Sequence, residues 1–328
     1  MKSNTFRTEI KPNFFDFNIH YQSDIMFVGS CFTENIGKRL KKLKFKININ
    51  PFGIIYNPVS LAQSLDYIVS EKEFTDDDLF FFNEYWHSFS HHGKFSGTDK
   101  RKVLNNINQS ITEAHKIIYN AEFLFITLGT AWVYEFIKSK NIVANCHKIP
   151  GKEFNKRLLT ENEIVKSFIA LIKKIRLKNK KIKIIFSISP VRHLKDGFSE
   201  NFLSKSILRT AVDKISEQNS EIYYFPAYEI LIDDLRDYRF YDTDLVHPNN
   251  IAAEYIFKFF EETFFNAETI KISEKVNKIN QMKSHRIFNS QTEQSKKFIT
   301  AALKEIKFLE KEYSFLNFES EKTYFSGL

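Results

Sequence analysis

At 328 residues, 43% hydrophobic and 27% charged, the chain is long enough to bury a substantial core and reads as globular, either one large domain with an extension or two domains. The 48 Lys and Arg against 40 Asp and Glu leave a net +8, but the basic residues are scattered among Ile, Asn and Phe, which argues against a nucleic-acid partner. Two cysteines, Cys31 and Cys146, exclude a disulfide framework and fit a reducing compartment; with no apolar h-region in Met1 to Asp16 and no run of the roughly 18 apolar residues a membrane span requires, the expected location is the cytoplasm.

Along the chain, short runs rich in Ile, Phe, Tyr and Val alternate with helical periodicities. Residues 25–28, 45–49, 123–128, 182–188 and 222–225 are predicted strands, several of them apolar on both faces. Helices are predicted over 58–69, 102–119, 161–178, 200–217 and 250–265. In 161–178, Ile164, Phe168, Leu171, Ile172 and Ile175 share one face, and Thr160 with Glu163 has the spacing of a capping box. The alternation predicts an α/β fold, a parallel sheet with helices on both sides.

Two stretches break the rhythm. Residues 79–98 are dense in aromatics and histidine without a clean period, and read as an insertion packed over the sheet's edge, a roof for a pocket. Residues 266–326 contain neither Gly nor Pro, and Phe298, Ala302, Ile306 and Leu309 mark an amphipathic helix. The expected division is a domain over 1–265 and a helical C-terminal extension over 266–328. Two roles are open to the extension: packing on the same domain, or self-association into a homo-oligomer.

The chemistry concentrates at strand ends. Ile25-Met26-Phe27-Val28 stops at Gly29-Ser30-Cys31 and turns into a helical pattern, which holds a hydroxyl and a thiol where helix amides converge. Asn50-Pro51-Phe52-Gly53 and Gly129-Thr130 follow two further strands, and a parallel sheet brings all three loops to one edge. Read alone, Gly29 is a turn residue, Ser30 a cap and Cys31 a small buried side chain. Asp244-Leu245-Val246-His247 changes the balance, because an aspartate three residues before a histidine can hold one ring nitrogen while the other faces a nucleophile.

This set resembles the SGNH (GDSL-type) hydrolase superfamily, and Gly29-Ser30-Cys31-Phe32-Thr33 more narrowly resembles the GSCFA family. Asn50 to Pro58, Trp86-His87-Ser88-Phe89, Leu128 to Val133, Ser189-Pro190-Val191-Arg192-His193 and Asp244 to Pro248 support that match, which covers about residues 20–265. The resemblance implies a three-layer α/β/α, flavodoxin-like fold and hydrolysis of an acyl ester on a small molecule or glycan, with no cofactor and no metal. Without a gap, Gly29 aligns with the family glycine, Ser30 replaces an Asp, and Cys31 falls on the nucleophile; Ser30 takes that role if the turn shifts by one residue. His247 is then the base and Asp244 its orienting carboxylate.

For the oxyanion hole the resemblance points to the amide of the nucleophile and to Gly53. At the third position, Ala131 stands where the superfamily has Asn, leaving Thr130 or Asn57 as substitutes. Trp86, His87 and His91 are candidate sugar contacts, more credible than a metal site because no acidic cluster accompanies them. Arg192 and His193, after a strand at the same edge, are candidates for an anionic or polyhydroxyl group, with pairing to local carboxylates as the alternative. Acyl transfer to a glycan uses the same acyl-enzyme, and a non-catalytic carbohydrate-binding or scaffold protein is the reading from another class.

Overall fold

The apolar runs pair as strands in the computed structural model, which describes residues 7–327. β1 (Ile25–Gly29) runs into α1 (Cys31–Lys42), followed by β2 (Ile47–Ile49). α2 (Pro58–Val69), the hairpin of β3 (Phe80–Phe82) and β4 (Tyr85–His87), and α3 (Lys100–Asn120) lead to β5 (Phe123–Leu128). A small antiparallel sheet of β6 (Trp132–Phe136), β7 (Asn141–Ile142) and β8 (Phe154–Leu158) precedes α4 (Glu161–Lys178) and β9 (Lys183–Ile188). α5 (Phe198–Glu217), β10 (Ile222–Phe225), a short α6 (Ala227–Glu229) and π-type turns over Ile230–Leu235 follow. The chain ends in α7 (Asn250–Phe264), α8 (Ala267–Ser284), α9 (Glu293–Glu312) and α10 (Glu319–Ser326).

β10-β9-β5-β1-β2 form one all-parallel sheet, in register with Gly29 beside Thr127 and Leu128 beside Ile188. Counted along the chain, this is the 2-1-3-4-5 order of flavodoxin-like sheets. Every residue of β1 and β5 is buried, which explains why both read as continuous apolar runs without alternation. On one face α2 packs against α3 and α4, and α4 against α5. The connection from β1 to β2 runs the opposite way along the sheet, so a right-handed crossover sends α1 to the other face. There, a side chain added at Gly37 would come within 2.8 Å of Ile49 Cδ1. The fold is a three-layer α/β/α sandwich.

Local signals act as the sequence implies. Thr160 and Glu163 form a reciprocal capping box at α4, and the Asn57 side chain caps α2 ahead of Pro58 at the first helical position. β2 is shorter than expected, because Phe45 donates its amide to Leu40 O and closes the end of α1 before the strand begins. Within 79–98, Asn83 and Glu84 both take positive φ, the turn that suits a two-residue hairpin. That hairpin had no legible period because both strands are aromatic at successive positions.

The described residues divide into two compact units that do not follow a single cut near residue 265. One comprises the described part of Met1–Lys11 with Asp24–Gly37 and Ile47–Phe257; the other, Pro12–Ser23, Lys38–Lys46 and Lys258–Leu328. In the second, α8, α9 and α10 pack together, Ala302, Ile306 and Leu309 are fully buried, and Phe298 is half-buried against His285. Tyr21 stacks on Phe45 and bonds Ser273, while the buried Glu321 pairs with Lys44 at 2.7 Å. Among the described residues no helix is long and apolar enough to cross a membrane.

Candidate active site

The strand order reverses direction at β1 and β5, and in open α/β sheets the crevice outside such strand ends is where ligands bind. Gly29 ends β1 there with φ +135°, and a Cβ on it would lie 2.1 Å from Thr127 O of β5, so only glycine allows the close approach. Its amide donates to Asn50 Oδ1 at 2.8 Å, its carbonyl accepts from Ile55, and the Ser30 amide donates to Thr127 O. Three segments thus fix the turn before α1. Ser30 is fully buried, and its hydroxyl has no hydrogen-bond partner among the described residues; Cys31, the first residue of α1, is half-buried.

Burial dominates the Cys31 thiol and pushes its pKa up. The amides of Phe32 and Cys31 and the charge of Lys205 pull it back, while Glu34 adds to the rise. Among the described residues no hydrogen bond joins the thiol to His247.

The acid and the histidine do meet. Asp244 Oδ2 lies 2.6 Å from His247 Nδ1, and Asp244 Oδ1 accepts the amides of Val246 and His247 at 2.9 Å. The His247 amide, its ring and the Val246 amide hold the Asp244 carboxyl down at about 2. The loop is docked at the sheet edge by Arg192, just beyond β9, whose amide donates to Val246 O at 3.1 Å and whose guanidinium donates to Leu245 O at 3.3 Å. Phe198, Tyr238 and Tyr241 surround that guanidinium at 5.1 to 5.7 Å. Arg192 serves the histidine loop instead of an open anion site.

The expected oxyanion groups are engaged elsewhere. The Gly53 amide closes its turn onto Asn50 O at 2.8 Å; the Asn57 side chain caps α2 and donates to Val143 O; the Thr130 hydroxyl bonds Ser204 Oγ and accepts from Trp132 N. The named residues of the aromatic stretch are likewise engaged within the fold. His87 contacts Ser96 Oγ and Phe82 O through its two ring nitrogens, His91 is stacked on Phe52 at 4.3 Å with burial lowering it to about 3, and Trp86 lies under the Lys100 ammonium. His193 does reach the site. It packs edge-to-face on Tyr56 at 5.4 Å, its Nε2 is buried without a partner among the described residues, and burial, helped by Lys205 and His247, lowers it to about 3.

Two further features complete the arrangement. Lys205 of α5 is buried, its Nζ within 2.7 Å of both Gly129 O and Ser189 O, the first carbonyls past β5 and β9. Burial lowers its ammonium to about 7, opposed by the Cys31 thiolate. Beside it, a cavity of about 340 Å³ is lined by Tyr56, His92, Trp132, Tyr134, Cys146 and His193, at the small end of the range for small-molecule sites. Burial pushes the Cys146 thiol up to about 11.

The GSCFA family model matches residues 24–260, and the model described as the GSCFA domain protein C-terminal domain matches 276–327. The chain belongs to the GSCFA family. No curated protein matches it. Among solved structures it is similar to a protein from Streptococcus pneumonia provisionally described as a platelet activating factor, at 14% identity and TM-score 0.39, over 73% of this chain and 83% of that one. It is also similar to an acetyl xylan esterase from the rumen bacterium Butyrivibrio proteoclasticus, at 10% identity and TM-score 0.37, over 79% of this chain and 64% of that one.

In this GSCFA protein, sequence reasoning assigned no role to two residues that hold the turn before α1 and the strand ends beside it. Lys205 lies on the buried stripe Asn201, Ser204, Lys205, Leu208, Ala211, Val212, Ile215, so a lysine in register with an apolar helix face was the available signal. Asn50, at φ +45°, is the asparagine that tolerates a left-handed turn while its side chain pins Gly29.

Proposed function

We propose that this GSCFA protein hydrolyses an O-acyl ester on a carbohydrate or lipid as an SGNH-type enzyme, through a thioester on Cys31. The sulfur attacks the acyl carbon and expels the alcohol; water then releases the acid. His247 Nε2 takes the thiol proton as sulfur attacks and passes it to the leaving oxygen, then takes a proton from the attacking water and returns it to sulfur as the thioester opens, and the Cys31 amide is a donor to the oxyanion.

The observation that carries this reading is the 2.6 Å contact between Asp244 and His247 Nδ1, on a loop tied to the end of β9. A carboxylate only accepts, so Nδ1 bears the hydrogen and Nε2 is the working nitrogen. Of the two nucleophile candidates, Ser30 is fully buried and Cys31 is half-buried, which favours the thiol. The aromatic cavity beside Tyr56 and His193 has room for a sugar hydroxyl, which favours transfer of the acyl group to a glycan as the second reading.

Purified protein is assayed against small acetyl and longer acyl esters, with and without an alcohol acceptor. Turnover is expected to vanish in Cys31→Ala and to persist in Ser30→Ala. The opposite pattern assigns the role to Ser30, and activity retained in both variants refutes the assignment.

A further inference from the structure

We propose that an exposed apolar rim around the His247 loop, formed by Phe198, Phe202, Tyr238 and Leu245, holds the acyl chain of the ester, so that the substrate class is a medium-chain acyl ester and not an acetate. Of the reading above, this rests only on His247 as the working histidine. Phe198 and Phe202 are 67% exposed, Tyr238 62% and Leu245 50%. Arg192 joins them into one surface: its guanidinium lies 5.4 Å from the Phe198 ring and 5.7 Å from that of Tyr238, and it donates to Leu245 O at 3.3 Å. Phe202 follows Phe198 by one turn of α5 and extends the same face.

Leu245 ties the rim to the histidine. It stands two residues before His247 with φ +57°, a conformation that a bulky side chain rarely adopts. Its amide donates to Asp242 O at 2.9 Å, and Arg192 binds both its carbonyl and that of Val246. A strained backbone that its surroundings over-determine is a mark of functional sites. Here the strain keeps a leucine side chain half in water beside the reacting histidine.

Three observations select a hydrocarbon chain as the occupant. The charges next to the rim are already engaged: Asp237 with Arg239 at 3.2 Å, Asp244 with His247, Asp242 with the Thr243 amide, and Arg192 with Leu245 O. Apart from the Tyr238 hydroxyl the four side chains carry no hydrogen-bonding group, whereas a sugar needs several; Asn145, His193 and Asp196 line the cavity instead, which leaves that place to the alcohol. The four side chains expose on the order of 500 Å², short of the roughly 800 Å² that each partner of a stable protein complex buries, but ample for eight carbons at about 30 Å² per methylene.

The test compares p-nitrophenyl acetate with p-nitrophenyl octanoate. A methylene half withdrawn from water strengthens binding about twofold, so the six additional ones should make kcat/KM for the octanoate on the order of 50-fold that for the acetate. In the double variant Phe198→Ser/Phe202→Ser this ratio is expected to fall about fivefold or more. An equal ratio in the two proteins, or a wild type that prefers acetate, overturns the proposal. Self-association of the wild type that the double variant abolishes also overturns it, since a second copy then covers the rim. A second measurement needs no turnover: octan-1-ol is titrated into each protein while the Leu245 methyl groups are followed by NMR. A saturable shift that ethanol does not produce, weakened about fivefold or more in the double variant, is expected; no shift overturns the proposal. If neither ester is cleaved while octan-1-ol binds in this way, the hydrolase reading fails and the rim stands.

Discussion

Replacing Lys205 by Met makes the buried amine visible as a change in how stability depends on pH. Below about pH 7 the amine is protonated in both folded and unfolded chains, so it contributes no slope. Above that, the folded chain has released the proton, while the unfolded chain holds it to about 10.4. The unfolded state then binds one proton more, and stability rises with pH by about 1.4 kcal/mol per unit. Integrated from about pH 7 to 9, the gain is about 2 kcal/mol in wild type and absent in Lys205→Met.

The lower half of that window, up to about pH 8, is free of the other shifted groups. His91 and His193, lowered to about 3, and His147, lowered to about 4, are neutral in the folded chain; their contribution is complete above about 6.5 and is lost as pH falls through those values. Cys31 and Cys146, both raised by burial, make stability fall with pH from about 8 upward, where unfolded thiols begin to ionise first, and do so alike in wild type and Lys205→Met. Both tryptophans, Trp86 and Trp132, belong to the same compact unit as Lys205, so urea unfolding followed by their fluorescence reports the relevant transition. The slope is the readout, because Met also leaves Gly129 O and Ser189 O without their donor, which costs about 1 to 3 kcal/mol each at any pH. Parallel stability profiles for the two proteins would refute the argument that Lys205 sheds its proton in the folded state.

Two further outcomes follow from the geometry. Asp244→Asn should lower ester turnover on the order of 10³- to 10⁴-fold by releasing the His247 tautomer; equal activity would remove Asp244 from the reaction. Gly29→Ala should destabilise by at least about 3 kcal/mol, since it combines a φ of +135° with a Cβ 2.1 Å from Thr127 O; a loss below about 1 kcal/mol in urea unfolding would mean that the strand end relaxes.

The parallel sheet was legible because its central strands β1, β5 and β9 are buried on both faces and its helices carry an apolar periodicity. The helix over 58–69 coincides with α2, and the capping pair Thr160 and Glu163 marks the start of α4. Asp244 and His247 were legible for a local reason: three residues in one loop suffice to bring them together. The oxyanion groups were not, because whether an amide is available depends on its acceptor in another part of the fold, as Gly53 N–H on Asn50 O shows. The aromatic stretch misled for a similar reason. His87 and His91 look like binding residues by type, yet hydrogen bonds to Ser96 and Ser88 and stacking on Phe52 use them to build the hairpin region.

The first half of α5 explains how the turns after β5 and β9 are held at the sheet edge. Its buried stripe begins with three polar residues, and each ties down a loop at the sheet edge. Asn201 accepts the His193 amide at 2.8 Å, which shapes the turn after β9. Ser204 Oγ accepts the Ala131 amide at 2.7 Å and bonds the Thr130 hydroxyl, which shapes the turn after β5. Lys205 then bridges the two turns through Gly129 O and Ser189 O. A helix that contributed only packing would bury apolar side chains at these positions, at lower desolvation cost. The stripe becomes apolar from Leu208 onward, away from the strand ends, so the polar investment is confined to the edge where Cys31 sits. Burying polar groups only where the loops after β5 and β9 converge assigns α5 a part in holding that edge as well as in covering the sheet.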